Sequence, residues 1–290
     1  MEKSFKYAII FMIFTLIITA ALYIPIPLMG WSPYTFPGII LLFFGGSVPS
    51  WLGIIMVLTT YGKEQRRDYF QRIYQLKRIK PVWWSALLLL FPAIIAAAIL
   101  LSLVLGGTMP GMDNLKSIIA NPVVWFPLVG MSFLSGPFSE ELGWRGFALD
   151  PLLKRYGFTK ANLILGLVWG IWHLPLFFMP QTWHGQIGFS LTGFWMFIIM
   201  TLGLSFIMGW VYVNTNRSIL AAILMHLSSN FASQLIARSD STFELCRGML
   251  VAAIGLIIAV YYIRSGKNAD DGFALPAGRT SSSIKKGFVK

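Results

Sequence analysis

The chain has 290 residues, 56% of them hydrophobic and 12% charged, with a mean hydropathy of +0.70. These values exclude an ordinary soluble domain. With so apolar a chain, the net charge of +12 reads as topology and contact with anionic lipid, not as nucleic-acid binding.

A spanning helix needs about 20 mostly apolar residues. Eight stretches qualify: Tyr7–Met29, Phe36–Tyr61, Pro81–Leu105, Pro122–Leu149, Ala161–Met179, Leu191–Val213, Ser218–Ile236 and Cys246–Ile263. Eight spans with short connections leave no room for a soluble domain. The expectation is an all-α, polytopic membrane protein with one transmembrane domain over 1–264. A flexible basic tail over 265–290 should follow, since that stretch lacks apolar periodicity. Lys3 and Lys6 precede the first span as they would in a signal peptide. Its apolar run is long, however, and ends in IPIPLMG without a small-residue cleavage site, so it reads as a retained helix.

If the N-terminus is cytoplasmic, the inner segments are 1–6, 62–80, 150–160, 214–217 and 264–290. They hold 19 of the 23 Lys and Arg. Arg145 lies inside the fourth span, and Lys116, Arg238 and Arg247 fall toward the outside. This asymmetry is the positive-inside signature and agrees with an even span count and two cytoplasmic termini. The segment YGKEQRRDYFQRIYQLKRIKP interleaves Tyr69, Phe70, Ile73, Tyr74, Leu76 and Ile79 with basic residues. It reads either as an interfacial helix on the cytoplasmic leaflet or as a basic loop anchoring two spans. Cys246 is the single cysteine, which excludes an internal disulfide and a cysteine-rich metal site.

Against this background the polar residues inside the spans need a reason, because a charge at membrane depth costs roughly 2.5–3.5 kcal/mol on insertion scales. In the fourth span Glu141 and Arg145 are four apart, so they share a helix face and can pair. Glu140 is rotated by about 100° and need not share that partner. A carboxyl in a desolvated site is a candidate general base. Gly136 and Pro137, just before it, suggest a helix break or close packing.

His173 lies about a dozen residues into the fifth span and His226 about eight into the seventh, which puts both roughly 12–18 Å inside the cytoplasmic boundary. Glu140 comes out at a similar depth, about 21 Å, if its helix continues unbroken to Lys154. The three can therefore converge in one polar layer. Asn230 is one turn beyond His226 on the same face, where an amide can stabilise an oxyanion. Trp169 is one turn before His173. His184, in the outer loop PQTWHGQIG, is a poorer candidate.

The run Glu140-Glu141-Leu142-Gly143-Trp144-Arg145 matches the EExxxR motif of the CPBP intramembrane proteases, a group that includes CAAX prenyl endopeptidases and bacteriocin-processing or immunity proteins. Trp169 with His173 resembles the second motif of that family, and His226 with Asn230 the third. Order, spacing and placement on separate spans agree, and the family's eight-helix architecture suits the whole chain.

The resemblance implies an intramembrane endopeptidase in which Glu140, assisted by His173, activates water. It also implies that His226 and Asn230 hold the oxyanion while Glu141, Arg145 and Trp169 support the site. The implied substrate is a peptide or the C-terminus of a prenylated protein, reached from membrane lipid near the cytoplasmic leaflet. The implied location is a cell membrane if the source is prokaryotic. Zinc is a possible cofactor of such a family, with Glu140, His173 and His226 as its ligands. The chain has no HExxH, however, and a glutamate acting as base is not free to ligate, so a metal-independent mechanism is favoured. Two other classes compete: a non-catalytic immunity or scaffolding protein, and a proton-relaying transporter, for which no inverted repeat speaks.

Overall fold

The computed structural model describes residues 2–265, apart from 122, 124 and 237–239. Arg238 and the tail beyond Ser265 lie outside the described residues. The described residues are all-α. In chain order the helices are α1 (Glu2–Tyr23), a short α2 (Pro25–Leu28), α3 (Gly38–Thr60), α4 (Lys63–Tyr74) and α5 (Pro81–Val104). Then come α6 (Asp113–Ala120), α7 (Trp125–Leu134), α8 (Pro137–Gly143), α9 (Leu149–Trp172) and α10 (Trp183–Ile187). Last are α11 (Met196–Asn214), α12 (Ile219–Gln234) and α13 (Ser241–Ser265).

Six helical stretches among the described residues are long and apolar enough to cross a membrane: Lys3–Leu28, Gly38–Thr60, Pro81–Val104, Trp125–Phe178, Leu191–Asn214 and Ser241–Ser265. The fourth is 54 residues long and takes in both the fourth and the fifth expected spans. It is not one rod, because the chain breaks inside α9 at Gly157, whose φ of 73° and ψ of 179° suit glycine alone. The seventh expected span is α12, with 16 residues. At 1.5 Å per residue it is about 24 Å long, short of a bilayer core. It packs against α5, α8 and α11.

The molecule is an integral, multi-pass membrane protein, and its polarity is distributed accordingly. Ile39, Phe43, Leu88, Leu100 and Leu256 face outward. Glu140, Glu141, Arg145, Asp150, Asn162 and His226 are buried. Apolar residues gain nothing by leaving lipid, so helices here associate through close packing and interior hydrogen bonds.

Close packing sets the position of α8. A Cβ on Gly53 of α3 would lie 2.7 Å from the Cα of Gly143, and one on Gly143 would lie 2.0 Å from the carbonyl oxygen of Pro49. The two helices thus touch backbone to backbone. α8 runs only seven residues before the chain widens into a π-helical turn, Trp144–Ala148. Two of its carbonyls are satisfied from neighbouring helices. The Ser50 hydroxyl donates to Phe138 O across 2.8 Å, and the Tyr69 hydroxyl donates to Leu142 O across 2.9 Å.

Tyr69 belongs to α4, so the basic segment is a helix fastened inward and not only a loop. Its Arg72 is fully buried. The guanidinium meets Asp68 at 3.2 Å, Asp150 at 3.1 Å, the Tyr212 hydroxyl, and Gly146 O at 3.3 Å. Burial opposes the charge on Arg72, but Tyr212 and Asp150 outweigh it and raise the guanidinium above its ordinary pKa. Arg217 also bonds Asp150, and Arg78 pairs with Asp68 at 2.7 Å. Three arginines and two aspartates therefore lock three sequence-distant segments together.

Candidate active site

Gly136 ends the link between α7 and α8, and Pro137 occupies the first turn of α8, where its missing N–H costs nothing. Glu140 follows in that short helix. Its Oε2 accepts from the indole Nε1 of Trp169 across 2.6 Å. Its other oxygen, Oε1, points back toward Gly136. A Cβ built on Gly136 would meet Asn230 Nδ2 at 2.9 Å, Glu140 Oε1 at 3.3 Å and His226 Nε2 at 3.3 Å. Three polar groups from two helices thus surround one bare Cα.

Glu141 turns the other way. Arg145 Nη1 donates to both of its oxygens at 3.0 Å, which is the pair expected from their spacing. Oε1 also bonds His226 Nδ1 at 2.9 Å. A carboxylate engaged by a guanidinium can only accept, so Nδ1 carries the hydrogen and Nε2 is turned to Gly136. The spacing of the sequence does not reveal this second task of Glu141. The Arg145 guanidinium also stands over the Trp169 ring, 4.6 Å from its centroid.

Trp169 is the hub of the group. Its ring lies 5.4 Å from His226 and 6.1 Å from His173, centroid to centroid. His173 Nδ1 donates to the Trp169 carbonyl across 2.8 Å, leaving Nε2 as the acceptor nitrogen. The six other candidate residues are linked to one another through Trp169, Glu141 and Gly136, whereas His173 is reached through Trp169. The helix end that carries His173 is held by Trp172, whose Nε1 donates to Thr19 Oγ1 across 2.8 Å.

His184 is nearer the site than its loop position suggested. Its ring stacks on His173 with centroids 5.2 Å apart and an interplanar angle of 30°. Phe197 lies against both rings, 5.1 Å from His173 and 5.0 Å from His184. The fold-back is built by Thr182, whose hydroxyl donates to Leu176 O and Met179 O and accepts from Gly185 N.

Ligand atoms of Glu140, Glu141 and His226 lie within 4.8 Å of one another, so the cluster nearest to a metal set contains Glu141 where the sequence suggested His173. Its donors do not fit a catalytic zinc. Both Glu141 oxygens are taken by Arg145, and one of them also by His226. Within this cluster only Glu140 Oε1 and His226 Nε2 remain, beside a buried guanidinium. His173, the third ligand suggested by the sequence, is not part of it, whereas such zinc sites use three protein ligands.

Comparison with known proteins identifies the chain as a membrane-embedded protease. Residues 120–232, which include every candidate position from Glu140 to Asn230, match the family described as type II CAAX prenyl endopeptidase Rce1-like. Over 262 residues the chain is 28% identical to the CAAX prenyl protease 2 of Methanococcus maripaludis, covering 89% of this chain and 96% of that relative. The chain is thus similar, over its central part and along most of its length, to CAAX prenyl endopeptidases, the group that the three motifs suggested.

Proposed function

We propose that this protein is an endopeptidase that cleaves the C-terminal segment of a prenylated protein, or a related peptide, within the membrane near the cytoplasmic leaflet. The supporting observation is the convergence of Glu140 Oε1, His226 Nε2 and Asn230 Nδ2 on Gly136. With Oε2 held by Trp169, the free Oε1 takes a proton from water as its oxygen attacks the scissile carbonyl carbon. His173, held to the Trp169 carbonyl, helps orient that water. The carbonyl oxygen gains the charge and is met by the Asn230 amide, and by His226 Nε2 when that nitrogen carries a proton. Collapse of the tetrahedral species breaks the C–N bond, and Glu140 returns its proton to the leaving amine. Every step uses side chains of this chain, and no metal is required. This reading follows from the donor set above.

The test is cleavage of a farnesylated CAAX peptide by detergent-purified protein. Wild type should cleave, while Glu140→Gln and His226→Ala, both folded, should not. A folded wild type that cleaves neither this peptide nor its unprenylated counterpart would overturn the proposal.

A further inference from the structure

The two sides of α4 do different things. At about 100° per residue, Lys63, Arg67, Phe70 and Tyr74 fall on one stripe of the helix, while Tyr69 and Arg72 lie about 160° round from it. The stripe is exposed: Phe70 is 38% and Tyr74 64% accessible, and Lys63 and Arg67 are open. It continues into exposed Leu76, Lys77 and Lys80. The exposed acid on the helix is Glu64. The segment joins the ends of two membrane-crossing helices, Gly38–Thr60 and Pro81–Val104, so it sits at the level of the lipid headgroups. Cations alternating with aromatic and aliphatic side chains at that level complement anionic phospholipid.

The opposite side grips the catalytic helix. Tyr69 donates to Leu142 O, the residue after Glu141, and Arg72 donates to Gly146 O, the residue after Arg145. These two carbonyls bracket the start of the π-helical turn. Any shift of α4 is therefore passed to the backbone that carries both glutamates.

We propose that the exposed stripe of α4 binds anionic phospholipid headgroups, and that this occupancy steadies the glutamate-bearing helix through Tyr69 and Arg72. The second half rests on the proteolytic reading above, while the first half does not. Wild type and the variant Lys63→Gln/Arg67→Gln/Lys77→Gln/Lys80→Gln are placed in discs of phosphatidylcholine, with or without phosphatidylglycerol, and given a farnesylated peptide of zero net charge. Retained lipid is read separately by native mass spectrometry, without substrate.

Wild type should keep phosphatidylglycerol selectively, and its kcat should rise about fivefold in anionic discs, the low end of ordinary site-to-site couplings. The fourfold variant should show the neutral-disc rate in both membranes and no selective retention. Tyr69→Phe should keep the lipid selectivity and lose the rate response. Equal retention of both lipids by wild type, or unchanged selectivity in the fourfold variant, overturns the headgroup site. Stimulation by inorganic phosphate alone overturns lipid as the occupant. Selective retention with an unchanged rate overturns the coupling. Absence of cleavage in every disc speaks against proteolysis, and the retention measurement still decides the headgroup site.

Discussion

Trp169 donates its indole N–H to Glu140 Oε2 across 2.6 Å, and so decides which oxygen of that carboxylate is free. A hydrogen bond to a charged group is worth about 1.5–3 kcal/mol. Trp169→Phe keeps a ring against His226 and Arg145 but removes the donor. Its kcat should fall roughly 10–100-fold, as that energy implies, with KM little changed. A rise in KM at unchanged kcat would show that Trp169 serves substrate binding instead.

Gly136→Ala should be more severe than its single methyl suggests. The new Cβ would stand 2.9 Å from Asn230 Nδ2 and 3.3 Å from both Glu140 Oε1 and His226 Nε2. Displacing such groups by tenths of an ångström to an ångström costs on the order of 100-fold in rate. The fold should survive, since those neighbours are side-chain ends. Steady-state cleavage beside a melting curve in detergent checks both statements, and wild-type kcat in the alanine variant would refute the first.

Glu141 has two partners, and a pair of variants separates them. Glu141→Gln leaves Arg145 buried without its counter-charge, which costs about 3–5 kcal/mol in other proteins and should lower Tm clearly. Glu141→Gln/Arg145→Met removes both charges and should recover most of that stability. Activity should stay low in the double variant, because His226 Nδ1 still lacks its carboxylate. Recovery of activity together with stability would reduce Glu141 to a charge partner of Arg145.

Chelation gives an independent check on the donor set. Cleavage should persist in EDTA and in phenanthroline, because two free donors are fewer than the three protein ligands of a catalytic zinc. Loss of activity that zinc restores would reassign Glu140 and His226 as ligands.

Much of this site was legible in the sequence, and for a stated physical reason. Polar residues inside an apolar span are costly, so Glu140, Glu141, Arg145, His173, His226 and Asn230 stood out, and spacings of four fixed which of them share a helix face. What stayed hidden depends on tertiary contacts. The Glu141–His226 bond spans 85 positions, and no spacing rule reaches that far. The contact of His184 with His173 was hidden because the sequence places His184 in an outer loop, whereas Thr182 folds that loop back over the end of α9. Among the elements, hydropathy marked the apolar stretches well. It did not show the break at Gly157, nor that α12 runs for only 16 residues, since neither depends on how apolar the residues are.

The cluster of Arg72, Arg78 and Arg217 with Asp68 and Asp150 has a consequence for biogenesis. The three arginines belong to the basic segments whose distribution a positive-inside bias would read during insertion. Asp68 is within reach of Arg72 and Arg78 inside their own segment, whereas Arg72 and Arg217 meet Asp150 only when α4, the α8–α9 turn and the end of α11 have come together. The same guanidiniums would thus serve orientation of the nascent chain first, and they join its finished bundle afterwards. A substitution at Arg72 can therefore spoil either stage, and protease accessibility of the newly inserted chain, measured apart from the stability of the mature one, tells the two apart.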